Sequence, residues 1–234
     1  MLTIENLPNS PFPIIYLPKE SRSSRNVHGK SRGACRPSVI VNGYEVMCES
    51  GLERKVATVL ATDPDVLDLQ EQPPAVTWFD AEGNAHRHTF DFLATLRSGV
   101  RIAIPVKLLS EVKRLNFQAT IDLMAPQLPR SFADAIKLIT EEFLPLDIVH
   151  NADLLKQSLR TSNPDHDELI KKLVGERRGA TIGQIVEISR LEGFAFQAIS
   201  RLIARGSVRV INNARISYLA RVELIRSSVN EENA

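Results

Sequence analysis

The chain has 234 residues, 43% of them hydrophobic and 24% charged, with a formal net charge of +1. This is globular composition with enough chain for one large or two modest domains, and the net charge names no partner. Two cysteines without a CxxC exclude a disulfide framework and a structural zinc site, and no apolar run approaches the ~20 residues of a membrane span. With no basic segment and apolar core at its start, the expectation is a cytoplasmic protein with no membrane association.

Residues 1–40 are rich in Pro, Ser, Asn and Arg and show no period. From Lys19 to Arg36 they carry six basic residues and one acid. Such an arm suits DNA phosphates, with Arg22, Arg25, Lys30 and Arg32 as the contacts; a solvated tail accounts for it equally well. A helix follows. Ser50 and Glu53 have the spacing of a capping box, Leu52, Val56, Val59 and Leu60 recur at helical steps, and Pro64 ends the run.

"QEQPPAVTWFD", "AEGN" and "HRHTFDFLATL" then read as strand, turn and strand, "RSG" as a second turn, and "VRIAIPVKLL" as a third strand. The expectation is an antiparallel meander under a helix. Alternation puts Phe90 and Phe92 on one side and Thr89, Asp91 and Leu93 on the other. Likewise Ile102, Ile104, Val106 and Leu108 share a face, opposite Ala103, Pro105 and Lys107. Residues 110–142 read as helical, with Ser131 a cap for "FADAIKLITEEF", and "LDIVH" reads as a closing strand. The polar stretch 160–168 reads as a hinge.

Beyond it, Thr181 caps one helix, Gly193 breaks the chain, and "FAFQAISRLIARG" forms a second helix ended by Gly206. "SVRVI" and "RISYLARV" close as a hairpin. Helix, turn, helix and hairpin is the winged-helix pattern, in which Gln197, Arg201 and Arg205 make an outward row able to face DNA. A protein-docking module has the same pattern.

Three side chains carry the chemistry. Glu53 is on the first helix, Asp91 is mid-strand between two phenylalanines, and Lys107 is in the next strand. Pairing across "RSG" brings Asp91 and Lys107 together. Aspartate disfavours strands, and a carboxylate held there has a partner or a metal. Carboxylates can hold Mg²⁺, which acidifies water, and a lysine can orient that water. Taken singly, Glu53 is explained by helix capping, Lys107 by a strand end, and Asp91 with Lys107 by an inert ion pair.

"ESGLERKVATVLATDPDVLDLQEQPPAV", "HRHTFDFLATL" and "IAIPVK", in this order, resemble the catalytic domain of TnsA, the endonuclease subunit of heteromeric transposases in the restriction-endonuclease-like PD-(D/E)xK superfamily. "SGLERK" and "TFDFL" are also similar to phage Holliday-junction resolvases of the endonuclease I type. The resemblance covers about residues 20–150. It implies an α/β fold: a restriction-endonuclease-like mixed sheet flanked by helices at 41–150, after a basic arm at 1–40 and before a winged-helix domain at 151–234. It implies Mg²⁺- or Mn²⁺-dependent cleavage of double-stranded DNA at transposon ends, with a TnsB-like transposase and a TnsC-like ATPase as partners. Carried over by position, Glu53 and Asp91 are metal-binding carboxylates, Lys107 is the lysine of ExK, and the Val106 carbonyl is a metal ligand.

Phe90 stands where the family's PD element has proline, and Pro105 stands where it has Glu, Asp or Gln. Either Glu71 or Glu111 substitutes for the lost carboxylate, or the site is degenerate and the chain is a DNA-binding or assembly subunit. A literal ExK at Glu111, Val112 and Lys113 falls where the next helix is expected. His86 and His88 share a strand face but lack a third zinc ligand. Gln70, Glu71 and Gln72 match a family segment and equally read as a polar loop. Trp78 and Phe79 read as packing residues.

Overall fold

The computed structural model describes residues 18–24 and 37–225. Arg25, Lys30 and Arg32, the outer part of the basic arm, lie outside these. The described chain is mixed α/β, with seven α-helices and several small sheets.

The first element is a hairpin of β1 (Ser38–Val41) and β2 (Tyr44–Met47). Asn42 and Gly43 turn it, at φ of 49° and 81°, the positive pair that a two-residue hairpin requires. Val39, Val41 and Val46 are buried core residues, so the chain enters the core before the expected end of the arm. The arm's inner part docks here too. Lys19 bridges Tyr44, and Ser24 donates to the Gln72 carbonyl through its backbone N–H and its hydroxyl.

Helix α1 (Gly51–Thr62) starts at Ser50, whose hydroxyl accepts from the Glu53 N–H at 3.1 Å. Strand β3 (Val66–Glu71) follows, then the hairpin β4 (Val76–Phe79) and β5 (Ala85–His88), then β6 (Phe92–Leu96) and β7 (Arg101–Ile104). The expected meander divides. Among the described residues β4 and β5 pair only with each other, whereas β3, β6, β7 and the two-residue β8 (Ala135–Ile136) form one sheet in that order. β8 runs parallel to β7, so the sheet is mixed. Helices α2 (Leu109–Arg114) and α3 (Phe117–Met124) connect them. Residues 132–143 are therefore not the expected helix; Ala135 and Ile136 add a strand edge instead.

The two sheet faces bury different clusters. Leu69, Phe92, Ala94 and Ile104 pack with Val56 and Ala57 of α1. Ala103 and Phe90 pack with Met124 of α3, with Leu93 beside them.

"LDIVH" opens helix α4 (Leu146–Ser158) rather than a strand. α4 packs on α1 and also on α7 (Gly193–Ala204), so the expected boundary at 150 falls inside it. Asn163 caps α5 (Pro164–Glu176), accepting from the His166 N–H. Thr181 and Gln184 make a full capping box for α6 (Ile182–Ser189). Gly193 does not break the chain; it begins α7, and the turn before it is made by Arg190 and Glu192 at φ of 56° and 50°. Gly206 ends α7 at φ 69°. β9 (Val208–Val210) and β10 (Val222–Leu224) pair antiparallel, and Thr181 bridges Arg221 alongside. Ile170, Ile182, Ile185, Ile199 and Val222 fill this unit's core. Among the described residues, no helix is long and apolar enough to cross a membrane.

Candidate active site

Asp91 sits at a bend one residue before β6. Continued, the β6–β7 register would set Asp91 against Pro105 and then Phe90 against Val106, but the chain turns away, and the Asp91 Oδ2 accepts from the Val106 N–H at 2.6 Å. The aspartate is therefore a side-chain continuation of the ladder. Burial raises its carboxyl to about 6, opposed by the Val106 hydrogen bond and Lys107 and reinforced by the negative charges of Glu53 and Glu49. Glu53 and Lys107 thus both act on Asp91, from α1 and from the chain just past β7.

The two oxygens of Glu53 are engaged locally. Oε1 accepts from the Ser50 hydroxyl at 2.8 Å and Oε2 from the Glu49 N–H at 2.7 Å. Its reciprocal backbone contact therefore goes to the N–H of Glu49, one residue before the cap, rather than to the N–H of Ser50. Lys107 is half-buried, with its Nζ 4.9 Å from the Phe117 ring centroid, a cation–π contact that fixes an otherwise flexible ammonium.

Pro105 has a structural account. The Lys137 N–H donates to the Ala103 carbonyl, the Ile139 N–H to Pro105, and the Lys107 N–H to Ile139. The bond a parallel ladder would next make comes from residue 105, and proline has no N–H to make it. The ladder lapses there and resumes in the same register as the isolated bridge Val106–Ile139. Proline is tolerated because one rung is missing while both its neighbours hold.

The expected substitute ligands fare differently. Glu111 is exposed on the first turn of α2, so "EVK" is helical. Glu71 is 1% exposed at the end of β3. Its Oε1 accepts from the Ser21 hydroxyl and faces the Met47 N–H, and its Oε2 has no hydrogen-bond partner among the described residues. Gln72 is equally buried, so Gln70–Gln72 is strand end and core rather than polar loop. Val106 is buried, its N–H committed to Asp91. Glu49, exposed on the bend before α1, joins the site without having been a sequence candidate. The one signal for it is its position four residues before Glu53, at the mouth of the helix.

Among the described residues no three His, Cys, Asp or Glu side chains are grouped to hold a metal. Mg²⁺, however, commonly takes only one or two protein carboxylates and completes its shell with water and substrate phosphate. The mutual repulsion of Asp91 with Glu53 and Glu49 is what a cation would relieve, so the donors present fit Mg²⁺ in type.

Two expected DNA contacts are otherwise engaged. Arg22 makes a bidentate pair with Asp68, both bonds 2.8 Å, donates to the Leu69 carbonyl, and lies 4.3 Å over the Tyr44 ring. It pins the arm to the sheet. Arg201 is not on an outward row: it is 2% exposed, donates twice to Asp167 Oδ1 at 2.9 and 2.6 Å, and reaches Thr161. Helical steps of four drift around the helix, and this one meets α5 instead of solvent. Arg205 is half-exposed and pairs with the other oxygen of Asp167 at 2.8 Å. The same network ties down Thr161, in the stretch expected to be a hinge. On the β4–β5 hairpin, His86 bonds Asp80 at 2.7 Å and stacks on Trp78, while His88 packs against Phe90 and Phe117.

No family model matches the chain, and no curated protein matches it.

Proposed function

We propose that this chain is a DNA endonuclease subunit of a TnsA-like transposition machinery, hydrolysing phosphodiester bonds at transposon ends. The observation that carries this reading is that the charges of Glu53 and Lys107 both act on the half-buried carboxylate of Asp91, which the Val106 N–H holds in place. The mixed sheet with α1 on one face and α3 on the other suits a restriction-endonuclease-like core. Three helices followed by a hairpin suit a winged helix.

Asp91 and Glu53 would hold Mg²⁺ or Mn²⁺, which when bound polarises the phosphoryl group and acidifies a water. Lys107, steadied by Phe117, orients the attacking water or offsets charge on the phosphate. Asp91 is pre-positioned by the Val106 N–H, so little reorganisation is needed. A TnsB-like transposase and a TnsC-like ATPase are the partners this reading requires.

A second reading, a degenerate nuclease fold that binds DNA or assembles the complex without cutting, is favoured by Pro105 and by the lack of a third grouped carboxylate among the described residues. Incubation of the chain with duplex DNA carrying transposon ends, with Mg²⁺ or Mn²⁺ and with or without the partner subunits, separates the two. Cleavage lost in Asp91→Ala supports the nuclease; cleavage retained in that variant refutes the assignment. Duplex binding with no cleavage under either metal, partners present, supports the second reading.

A further inference from the structure

On α4, Asp153 and Lys156 lie three residues apart on neighbouring positions of the helix, and Arg160 follows in the turn just past its end, its N–H donating to the Gln157 carbonyl. α4 packs on α1, and Arg54 of α1 reaches Asp153 with 3.5 Å between Nη1 and Oδ1. Three cations, Arg54, Lys156 and Arg160, are thereby gathered along one edge of the α1–α4 contact, with Asp153 the acid among them. Lys156 is half-buried, and its ammonium is held below the ordinary range by burial and by the Arg160 and Arg54 charges, with Asp153 only partly offsetting them. Crowding like charges is unfavourable unless something negative compensates.

The cluster starts one residue from Glu53. Arg54 and Lys156 both act on the buried Cys48 thiol, as does Glu53. The cluster and the carboxylate pair therefore share the start of α1 without sharing a side chain. We propose that Arg54, Lys156 and Arg160 form a second phosphate-binding site that grips the DNA backbone beside the scissile position. The proposal rests on the nuclease reading for its ligand. A point-charge lysine flanked by two guanidinium groups suits phosphodiester oxygens, which need charge rather than a shaped pocket. It also gives α4 a role beyond joining the two units, because the helix then carries backbone contacts to the side of the cleavage centre.

The test is binding of a 30-base-pair duplex without divalent metal, followed by fluorescence anisotropy across a salt series. Lys156→Gln with Arg160→Gln keeps much of each side-chain stem and removes both charges. Each lost phosphate contact lowers the slope of log affinity against log salt by about 1, so the double variant loses about 2, and Arg160→Gln alone, at an exposed position, loses about 1. Lys171→Gln with Lys172→Gln, exposed on α5, removes the same charge elsewhere and leaves the slope unchanged. Equal slopes for wild type and the α4 variants overturn the proposal. So does equal loss in the α5 control, which reduces the effect to net charge, and so does a wild-type chain without salt-dependent duplex affinity. Loss confined to binding of an acidic polypeptide overturns it in favour of a protein partner. Asp91→Asn separates the two readings: undiminished cutting in it refutes the nuclease assignment while leaving the slope result standing.

Discussion

Asp91→Asn should make the protein more stable at neutral pH while removing the proposed cleavage. The Asp91 carboxyl is raised from 3.8 to about 6. A group that binds its proton more tightly folded than unfolded contributes nothing unfavourable below pH 4, where both states are protonated. Between about 4 and 6 the unfolded chain releases the proton first, so stability falls as pH rises. Above 6 the full penalty is present. A shift of about two units corresponds to ~2–3 kcal/mol. Asparagine cannot ionise, and its amide oxygen can still accept from the Val106 N–H. The variant should therefore gain up to ~2–3 kcal/mol at pH 7.5, or ~5–10 °C in Tm for a chain of this size, and the gain should shrink to nothing near pH 4. Thermal and urea unfolding of both proteins between pH 4 and 8 measures it. A variant less stable than wild type at pH 7.5, or a difference constant across the range, would show that the carboxylate is not held at a cost and would remove the electrostatic basis of the site. Mg²⁺ adds a second readout: millimolar metal should raise the Tm of wild type and leave the variant unmoved.

Arg201→Ala leaves Asp167 buried with only its bond to Arg205, and should cost ~3 kcal/mol in unfolding free energy; a variant that loses DNA affinity at unchanged stability would return Arg201 to the surface. Cys48, 0% exposed with its thiol pushed up to about 12 by burial and by Glu53 and Glu71, should resist thiol reagents at pH 8 in a Cys35→Ser background until the protein unfolds; labelling of the native protein at the free-thiol rate contradicts its burial. On the nuclease reading, Pro105→Glu supplies a carboxylate and a ladder N–H together, so it should lower the Mg²⁺ concentration giving half-maximal cleavage; an unchanged or raised metal requirement means residue 105 does not face the metal.

What was legible in the sequence was local. Ser50, Thr181 and Gly206 act through neighbours a few residues away, and each marks its helix end where the spacing put it. The Asn42–Gly43 hairpin was legible by the same rule but was obscured by the basic, proline-rich composition around it. Long-range partners were not legible. "AIKLI" has helical spacing and β-branched content at once, and only the exposed edge of β7 decides that it becomes a strand. "LDIVH" is largely exposed and is helical as the first turns of α4, which is anchored further along by buried Ala152 and Leu155 where it meets α1 and α7. Arg201 repeats at four-residue steps with Gln197 and Arg205, but which of the three is buried depends on Asp167, 34 residues earlier in the chain.

The candidate site follows the same division. Spacing nominated Glu53, Asp91 and Lys107 because residue type and strand position conflicted at Asp91. It did not nominate Glu49, which reaches the site through a bend with no period. It also gave Pro105 no purpose. The hydrogen-bond ladder gives that residue a permissive explanation: β8 loses a rung at 105 and recovers it at Val106. The proline therefore does not dislodge Val106 or Lys107, since the Val106 N–H still reaches Asp91 and the Lys107 N–H still pairs with Ile139. On the proposed nuclease reading, an acidic ligand missing at 105 without loss of the surrounding backbone would weaken cation binding and leave the positioning of lysine and aspartate intact. Activity that survives in such a site should consequently depend on metal concentration more steeply than on any change to the fold.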